Sequence, residues 1–423
     1  MSSVSPAALP HPALNMDELR RQYAELQARG LRLDLTRGKP SSEQLDLSEP
    51  MLALPTPGHH YDADGADVRN YGGLTGLPQL RRIFAELFNI PVTQLLALGN
   101  SSLTLMHDTL AYAFLWGVPG SPCPWTHEPT VKFICPTPGY DRHFALCEAF
   151  GIEMLPVSWH VNGPDVDQIA DLVAHDPTVK GMWLVPTYSN PTGTVTSAAV
   201  AQRLMEMPTA APDFRIFWDN AYALHHLGVV ETPSANALQL AEQADNPDRV
   251  FCFASTSKMT FPGAGVAFWA GSPTNINWFT TRLSKQAIGP DKVNQLRHAL
   301  FFGDAEGVRH HMAKHRAVLA PKFAAVDRIL SHRLTPTGID ARWSKPTGGY
   351  FVSLDTPTGT ATRVVELAAG AGIALTPAGS TWPYGRDPLD SNLRIAPSMP
   401  TLPDVEQAID ALATCILLAT AEN

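Results

Sequence analysis

The chain has 423 residues, 44% of them hydrophobic and 17% charged, with a net charge of -9 and a pI near 5.9. That balance describes a globular chain long enough for two domains with sizeable cores, and it excludes the basic stripe of a nucleic-acid surface. No apolar run approaches the ~18 residues of a membrane span, the start MSSVSPAALPHP lacks the charged-then-apolar order of a secretory signal, and the five cysteines (Cys123, Cys135, Cys147, Cys252 and Cys415) form no CxxC pair. An odd number of cysteines, three of them in apolar runs, implies free thiols in a reducing cytoplasm rather than disulfides or a zinc site.

Taken in order, residues 1 to about 14 read as a Pro- and Ser-rich arm. Asn15, with Glu18 three residues on, opens a helix that Gly30 stops. A short strand at Leu33-Asp34-Leu35 leads into the turn Arg37-Gly38-Lys39-Pro40, and the glycine-rich loop Asn70–Gly76 precedes a helix from Pro78 to Phe88. That loop is no Walker loop, because no GK[ST] follows. Gly99-Asn100-Ser101-Ser102 opens a helix through Leu110, whose first N–H groups can hold an anion; the plainer reading makes Ser102 only its N-cap. Strands are expected near 131–135, 152–156, 180–186, 214–219, 249–254 and 265–270, with helices near 141–150, 165–174 and 197–207. Such alternation predicts an α/β fold with a mostly parallel sheet covered on both faces. A helix from about 305 to 331 carries His310, His311 and His315. His311 and His315 lack the glutamate of HExxH, so a solvated basic face is expected and a metal is not. Gly348–Val352, a helix near 361–370, Asn392–Ile395 and a last helix from Pro403 predict a smaller α+β domain.

Four apolar strands end in chemistry. Val131–Cys135 leads to Tyr140, and Met182–Val185 leads to Ser189-Asn190-Pro191-Thr192-Gly193. Ile216–Trp218 ends on Asp219 with Tyr222 three residues on, and Val250–Phe253 runs through Ser255 and Ser257 to Lys258. Alone, Lys258 would be a lysine snorkelling at a strand end, since lysine is rarely buried. In open parallel sheets, however, ligands bind at the carboxyl ends of the strands. The four together ask for a planar, anionic ligand containing nitrogen. Lys258 would hold it covalently, Asp219 would meet its ring nitrogen, Asn190 and Tyr222 its ring oxygen, and Tyr140 would cover its face.

Tyr140, SNPTG, DNAY, the Ser255–Lys258 segment and a late NLRIAPS, with 29 residues from Asn190 to Asp219 and 39 from Asp219 to Lys258, resemble a fold-type I pyridoxal-phosphate (PLP) class I aminotransferase. The resemblance runs from Arg37 to Ser398. It is strongest to the branch related to the catalytic half of MocR-type regulators, which includes aspartate aminotransferases. With only about 36 residues ahead of Arg37, the DNA-binding half of such a regulator is not expected.

The resemblance implies a large domain with a seven-stranded, mostly parallel sheet between helices, and a smaller α+β domain. The units would be 1–55, 56–305 and 306–423. It implies PLP on Lys258, and phosphate contacts from Asn100, Ser101, Ser102, Ser255 and Ser257. His143 would support Asp219, Gly38 and Asn190 would lie by the substrate, and Arg394 would take its carboxylate; the nearby Arg386, read from its own Tyr-Gly-Arg-Asp setting, is expected to be a surface partner of Asp387 or Asp390. It also implies a homodimer in which Tyr71 reaches the partner's site. The reaction would move an amino group from a dicarboxylic amino acid such as aspartate to a 2-oxo acid such as 2-oxoglutarate; a PLP lyase or decarboxylase on the same fold is the alternative. Lys285, Lys292 and Arg297 are the candidates for a distal carboxylate. One departure stands out. Gly265, in Pro262-Gly263-Ala264-Gly265-Val266, occupies the place of the family's phosphate-binding arginine, so a substitute cation or a weaker hold on the phosphate is expected. A Rossmann dehydrogenase is excluded because this glycine pair lacks its third partner, and no GxSxG marks a hydrolase.

Overall fold

The computed structural model describes residues 14–423. Helix α1 (Met16–Ala28) is capped by Asn15, whose side chain accepts from the Glu18 N–H, and Gly30 follows it in a left-handed conformation. Then come β1 (Leu33–Asp34), the short α2 (Ser42–Asp46), α3 (Pro78–Phe88) and β2 (Leu95–Ala97). Helix α4 covers Ser102–Trp116, with Ser101 rather than Ser102 as its N-cap. It outruns the expected end at Leu110 because nothing breaks the apolar run before Gly117.

The alternating middle comprises β3 (Lys132–Pro136), α5 (Asp141–Phe150), β4 (Glu153–Val157), a small hairpin of β5 (Trp159–His160) and β6 (Gly163–Pro164), α6 (Val166–His175), β7 (Val179–Leu184), α7 (Ala198–Glu206), β8 (Arg215–Asp219), α8 (Ala237–Gln243), β9 (Val250–Ser255) and β10 (Ala267–Ala270). Each strand and helix expected here is present within one or two residues. Among the described residues, seven strands form one sheet in the order β2-β10-β9-β8-β7-β3-β4. All neighbours are parallel except β10, which runs antiparallel to β2 and β9. β7 and β8 are buried along their whole length, as a sheet covered on both faces requires. The consequence for the site is direct: β3, β7, β8 and β9 all end at one edge of the sheet.

Beyond the sheet lie α9 (Pro273–Gln286), α10 (Lys292–Phe302) and the long α11 (Ala305–Leu334). The chain ends with β11 (Arg342–Trp343), β12 (Val352–Asp355), α12 (Ala361–Gly370), β13 (Ile373–Ala374), β14 (Asn392–Ile395) and α13 (Leu402–Glu422). β11, β12 and β14 make an antiparallel sheet, and β13 pairs in parallel with β1. The N-terminal Leu19, Leu26 and Leu35 share a core with Leu330, Leu354, Leu412 and Ile416. Helix α11 crosses between cores: Val308 and Met312 pack under the large sheet, and Phe323 and Leu330 pack in the C-terminal core.

One expectation for α11 is overturned. His310 is exposed, but His311 and His315 are buried, 4% and 1% exposed. They do not form a solvated face; their ring nitrogens find polar partners from α2 and from the turn after β9. The described residues hold no group of three or more metal-ligating side chains. Among the same residues, no helix is long and apolar enough to cross a membrane.

Candidate active site

Where β9 ends at Ser255 the chain turns at once. The N–H groups of Met259 and Thr260 return to the Thr256 carbonyl at 2.8 and 2.9 Å, and the Thr256 and Thr260 hydroxyls meet His298 Nε2 at 3.2 and 3.0 Å. Lys258 sits in this turn and lines a cleft of roughly 530 Å³ together with Gly38, Tyr140, Asn190, Tyr222 and Arg394. Its Nζ lies 4.9 Å from the Tyr222 ring centroid. Burial pushes the Lys258 amine below the usual lysine range, partly offset by the negative charge of Asp219.

Asp219 ends β8, and its Oδ2 is 3.1 Å from His143 Nε2. The His143 ring is stacked on Trp183 at 4.3 Å, so its orientation is fixed, and facing a carboxylate it donates from Nε2. Asp219 Oδ1 and Asn190 Oδ1 are both buried without a partner. Leaving a buried polar group unpaired costs about 1–3 kcal/mol. Two such groups at one sheet edge are the mark of a polar ligand. Burial raises the Tyr140 and Tyr222 phenols, Tyr222 well above its ordinary value, so both enter as neutral donors.

Arg394, on β14, is nearly buried. Its Nη1 donates to Asp141 Oδ1 at 2.8 Å, while Nη2 has only long contacts to the Thr36 carbonyl and Thr376 Oγ1, 3.5 and 3.4 Å. Nε has no partner. The guanidinium lies over the Phe351 ring, 4.9 Å from its centroid. The Nε/Nη2 edge is thus the one left for a carboxylate. Gly38 is a steric necessity: a Cβ there would stand 2.5 Å from Phe351 Cζ.

The start of α4 adjoins the lysine turn, since Ser257 Oγ donates to the Asn100 carbonyl at 3.3 Å. Asn100, Ser101, Ser102, Ser255 and Ser257 are therefore neighbours. Gly265 is next to them, and a Cβ on it would stand 3.2 Å from Thr256 Oγ1 and 3.3 Å from the Ser257 nitrogen. Its φ is −74°, so glycine serves closeness here, not a left-handed backbone.

Other expected residues lie apart. Tyr71 is 84% exposed, and its carbonyl is 3.4 Å from Lys292 Nζ. Lys285 is on α9, and Arg297 donates to the Leu54 carbonyl at 2.9 Å; with Lys292 they stand outside the residues that line the cleft. Arg37, Lys39 and Arg142 line it instead, although the sequence reading did not nominate them. Arg142 was within reach of that reading, two residues past Tyr140 on the first turn of α5. Arg386 is exposed, and its expected partners are used otherwise. Asp387 accepts from the N–H groups of Leu389, Ser391 and Asn392, and Asp390 from Thr362.

The buried histidines near this site predict a pH response. Burial pulls His298 down to about 4 and His315 down to about 3. The unfolded chain binds protons at these groups below about pH 6.5, and the folded chain does not until about pH 4 or lower. Their contribution is intact above 6.5 and is lost as pH falls below it. At pH 5 each should have cost about 2 kcal/mol of stability relative to pH 7.5. Denaturant melts should show stability falling by about two protons' worth per pH unit between 5 and 6; a flat profile would contradict the neutral burial.

The profile of the family described as aspartate amino-transferase matches residues 5–423. A Mycolicibacterium smegmatis protein named "putative aminotransferase" is 59% identical over 404 residues, covering 95% of this chain and 94% of the relative. An aspartate aminotransferase of Corynebacterium glutamicum is 53% identical over 407 residues, covering 96% and 94%. The crystal structure of an aspartate transaminase from C. glutamicum superposes with a TM-score of 0.94 at 52% identity, over 96% of each chain. With a buried lysine, a buried acid and a guanidinium gathered by this sheet, and with these matches, the chain belongs to the aspartate amino-transferase family and is an aminotransferase.

Proposed function

We propose that this aminotransferase works with PLP and takes a dicarboxylic amino donor such as aspartate, with a 2-oxo acid such as 2-oxoglutarate as acceptor. The observation that carries the reading is the orphaned, buried Oδ1 of Asp219, whose charge acts on the Lys258 amine, together with a cleft lined by Lys258, Asn190 and Tyr222. Asp219 Oδ1 suits a protonated ring nitrogen, the Asn190 amide and Tyr222 hydroxyl suit a phenolate, and Tyr140 can cover the ring. The start of α4 at Asn100–Ser102, with Ser255 and Ser257, suits the phosphate through neutral donors.

When bound, the cofactor supplies an electron sink for the substrate Cα. Arg394 holds the substrate α-carboxylate on its Nε/Nη2 edge and so fixes which Cα–H bond faces Lys258. The Lys258 amine, pushed toward its neutral form by burial, takes and returns the proton at that carbon. His143 keeps Asp219 oriented toward the ring. The three further cations of the cleft, Arg37, Lys39 and Arg142, against the single acid Asp141, favour a substrate with a second carboxylate. The homodimer, with Tyr71 reaching the partner's site, is part of the same reading, as is a cytoplasmic location. The exposure of Tyr71 beside Lys292 supports the dimer, and sedimentation of an active monomer would contradict it.

The test is the purified protein with PLP and a panel of amino acids. It should be yellow, borohydride should fix the label on the Lys258 peptide, aspartate or glutamate added alone should bleach the colour fastest, and 2-oxoglutarate should then restore it. Label on another lysine overturns the cofactor assignment. Aromatic or branched donors running tenfold faster than aspartate overturn the substrate.

A further inference from the structure

The back of the lysine turn, away from the cleft, rests on side chains that the reaction does not use. The carbonyls of Lys258 and Met259 both point into protein, where each would be unsatisfied without a donor. Tyr350, fully buried just ahead of β12, donates its hydroxyl hydrogen to the Lys258 carbonyl at 3.2 Å. The same hydroxyl oxygen accepts from Gln44 Nε2 at 2.8 Å. Gln44 is itself fully buried, and its Oε1 accepts from the Ser41 N–H at 3.1 Å, which fixes the amide's orientation. Its Nε2 therefore faces His315 Nδ1, 2.9 Å away, as a donor, so His315 Nδ1 carries the lone pair and Nε2 the proton.

His315 Nε2 lies 3.0 Å from His311 Nε2, and His311 Nε2 meets the Met259 carbonyl at 2.8 Å. The Met259 carbonyl can only accept, so His311 donates from Nε2, and with His315 also protonated on Nε2 the approach of the two nitrogens is a contact between donors, not a hydrogen bond. Ser48 Oγ, from just beyond α2, completes the set at 3.4 Å from the same carbonyl. α2, α11 and Tyr350, two residues ahead of β12, thus converge on two successive peptide groups, and one of those groups carries the lysine.

We propose that Gln44, His315 and Tyr350 are positioning residues for Lys258. They act in series, from His315 through Gln44 to Tyr350 and the Lys258 carbonyl, to hold the turn so that the amine stays in the cleft. None of them touches substrate or cofactor in this role. The proposal rests on Lys258 being the reacting lysine. A bed of neutral donors suits it, because a charge beneath the turn would alter the amine that the turn presents. A misplacement of a reacting group by about 1 Å can cost on the order of 10²-fold in rate.

The test uses the full-length protein loaded with PLP, in four single variants and one double. Tyr350→Phe and Gln44→Met remove the hydrogen bonds with little change of shape. Each should lower kcat about tenfold or more while KM for aspartate stays within about twofold. The double variant should be no worse than the weaker single, because a chain acting in series couples its members. His315→Leu should behave like them, and His315→Gln, which keeps one acceptor and one donor, should retain kcat within about threefold. A second readout is the rate at which colour develops when PLP is mixed with the cofactor-free protein, which should slow in parallel. If His315→Leu does not fold, Tyr350→Phe and Gln44→Met decide. Wild-type kcat and colour-formation rate in those two, or losses that simply multiply in the double variant, overturn the proposal. Borohydride labelling of the same samples separates the failures: label on Lys258 with unchanged kinetics sinks the positioning role alone, and label elsewhere sinks the assignment of the lysine.

Discussion

Lys258→Ala should lower kcat with aspartate by at least about 10³-fold while the protein melts no lower than the parent. Proton transfer by a positioned group contributes typically about 10²–10⁴-fold, and in the proposed reading the same amine also tethers the cofactor. No other lysine stands ready to replace it: Lys39, which also lines the cleft, belongs to the turn that carries Gly38, not to a strand end. Stability should not suffer, because burial depresses the Lys258 amine. A group with a depressed basic pKa is held at a cost below its unfolded value near 10.4, so its removal relieves that cost. The measurements are single-turnover kinetics and thermal melting. More than a tenth of the parent kcat would remove Lys258 from the chemistry, and a large drop in melting temperature would mean that the side chain is structural.

Arg394→Ala should cut kcat/KM for aspartate by about 10²–10⁴-fold and leave PLP bound. Two charge-assisted hydrogen bonds on the Nε/Nη2 edge, at about 1.5–3 kcal/mol each, account for that range. The loss should be felt by acceptor and donor alike, since both carry the α-carboxylate. Arg394→Lys should recover little. A point charge on a flexible stem cannot keep Asp141, lie over Phe351 and offer a planar edge at the same time. A kcat/KM within tenfold of the parent for the alanine variant would place the substrate carboxylate elsewhere, with Arg37 and Arg142 the next guanidiniums to examine.

How much of this was legible in the chain follows from the range of each interaction. The central strands announced themselves because each is an apolar run bounded by turn residues, a signal carried within six or seven positions. Lys258, Asp219, Asn190 and Tyr140 were legible because strand ends of a parallel sheet converge whatever the helices between them do. β2 was not, since three residues of edge strand carry no periodicity. His311 and His315 were misjudged for a different reason. Whether a histidine faces water or core depends on who meets it, and their partners Gln44, Met259 and Ser48 are between 52 and 271 residues away. The cations of the cleft were missed in the same way: Arg37 and Lys39 come from a turn whose position beside Arg142 is set by the pairing of β1 with β13, which no local pattern encodes.

The pairing of Arg394 with Asp141 bears on throughput. An aminotransferase must let one acid leave and admit another at a single seat, twice in every cycle. A fully unopposed guanidinium in a nearly dry pocket would hold each acid tightly and slow that exchange. With Nη1 already engaged by a carboxylate of the protein, the seat keeps its geometry but gives up part of its charge. If Arg394 is that seat, residence time should shorten for reactant and product together, with some affinity given up in exchange for turnover.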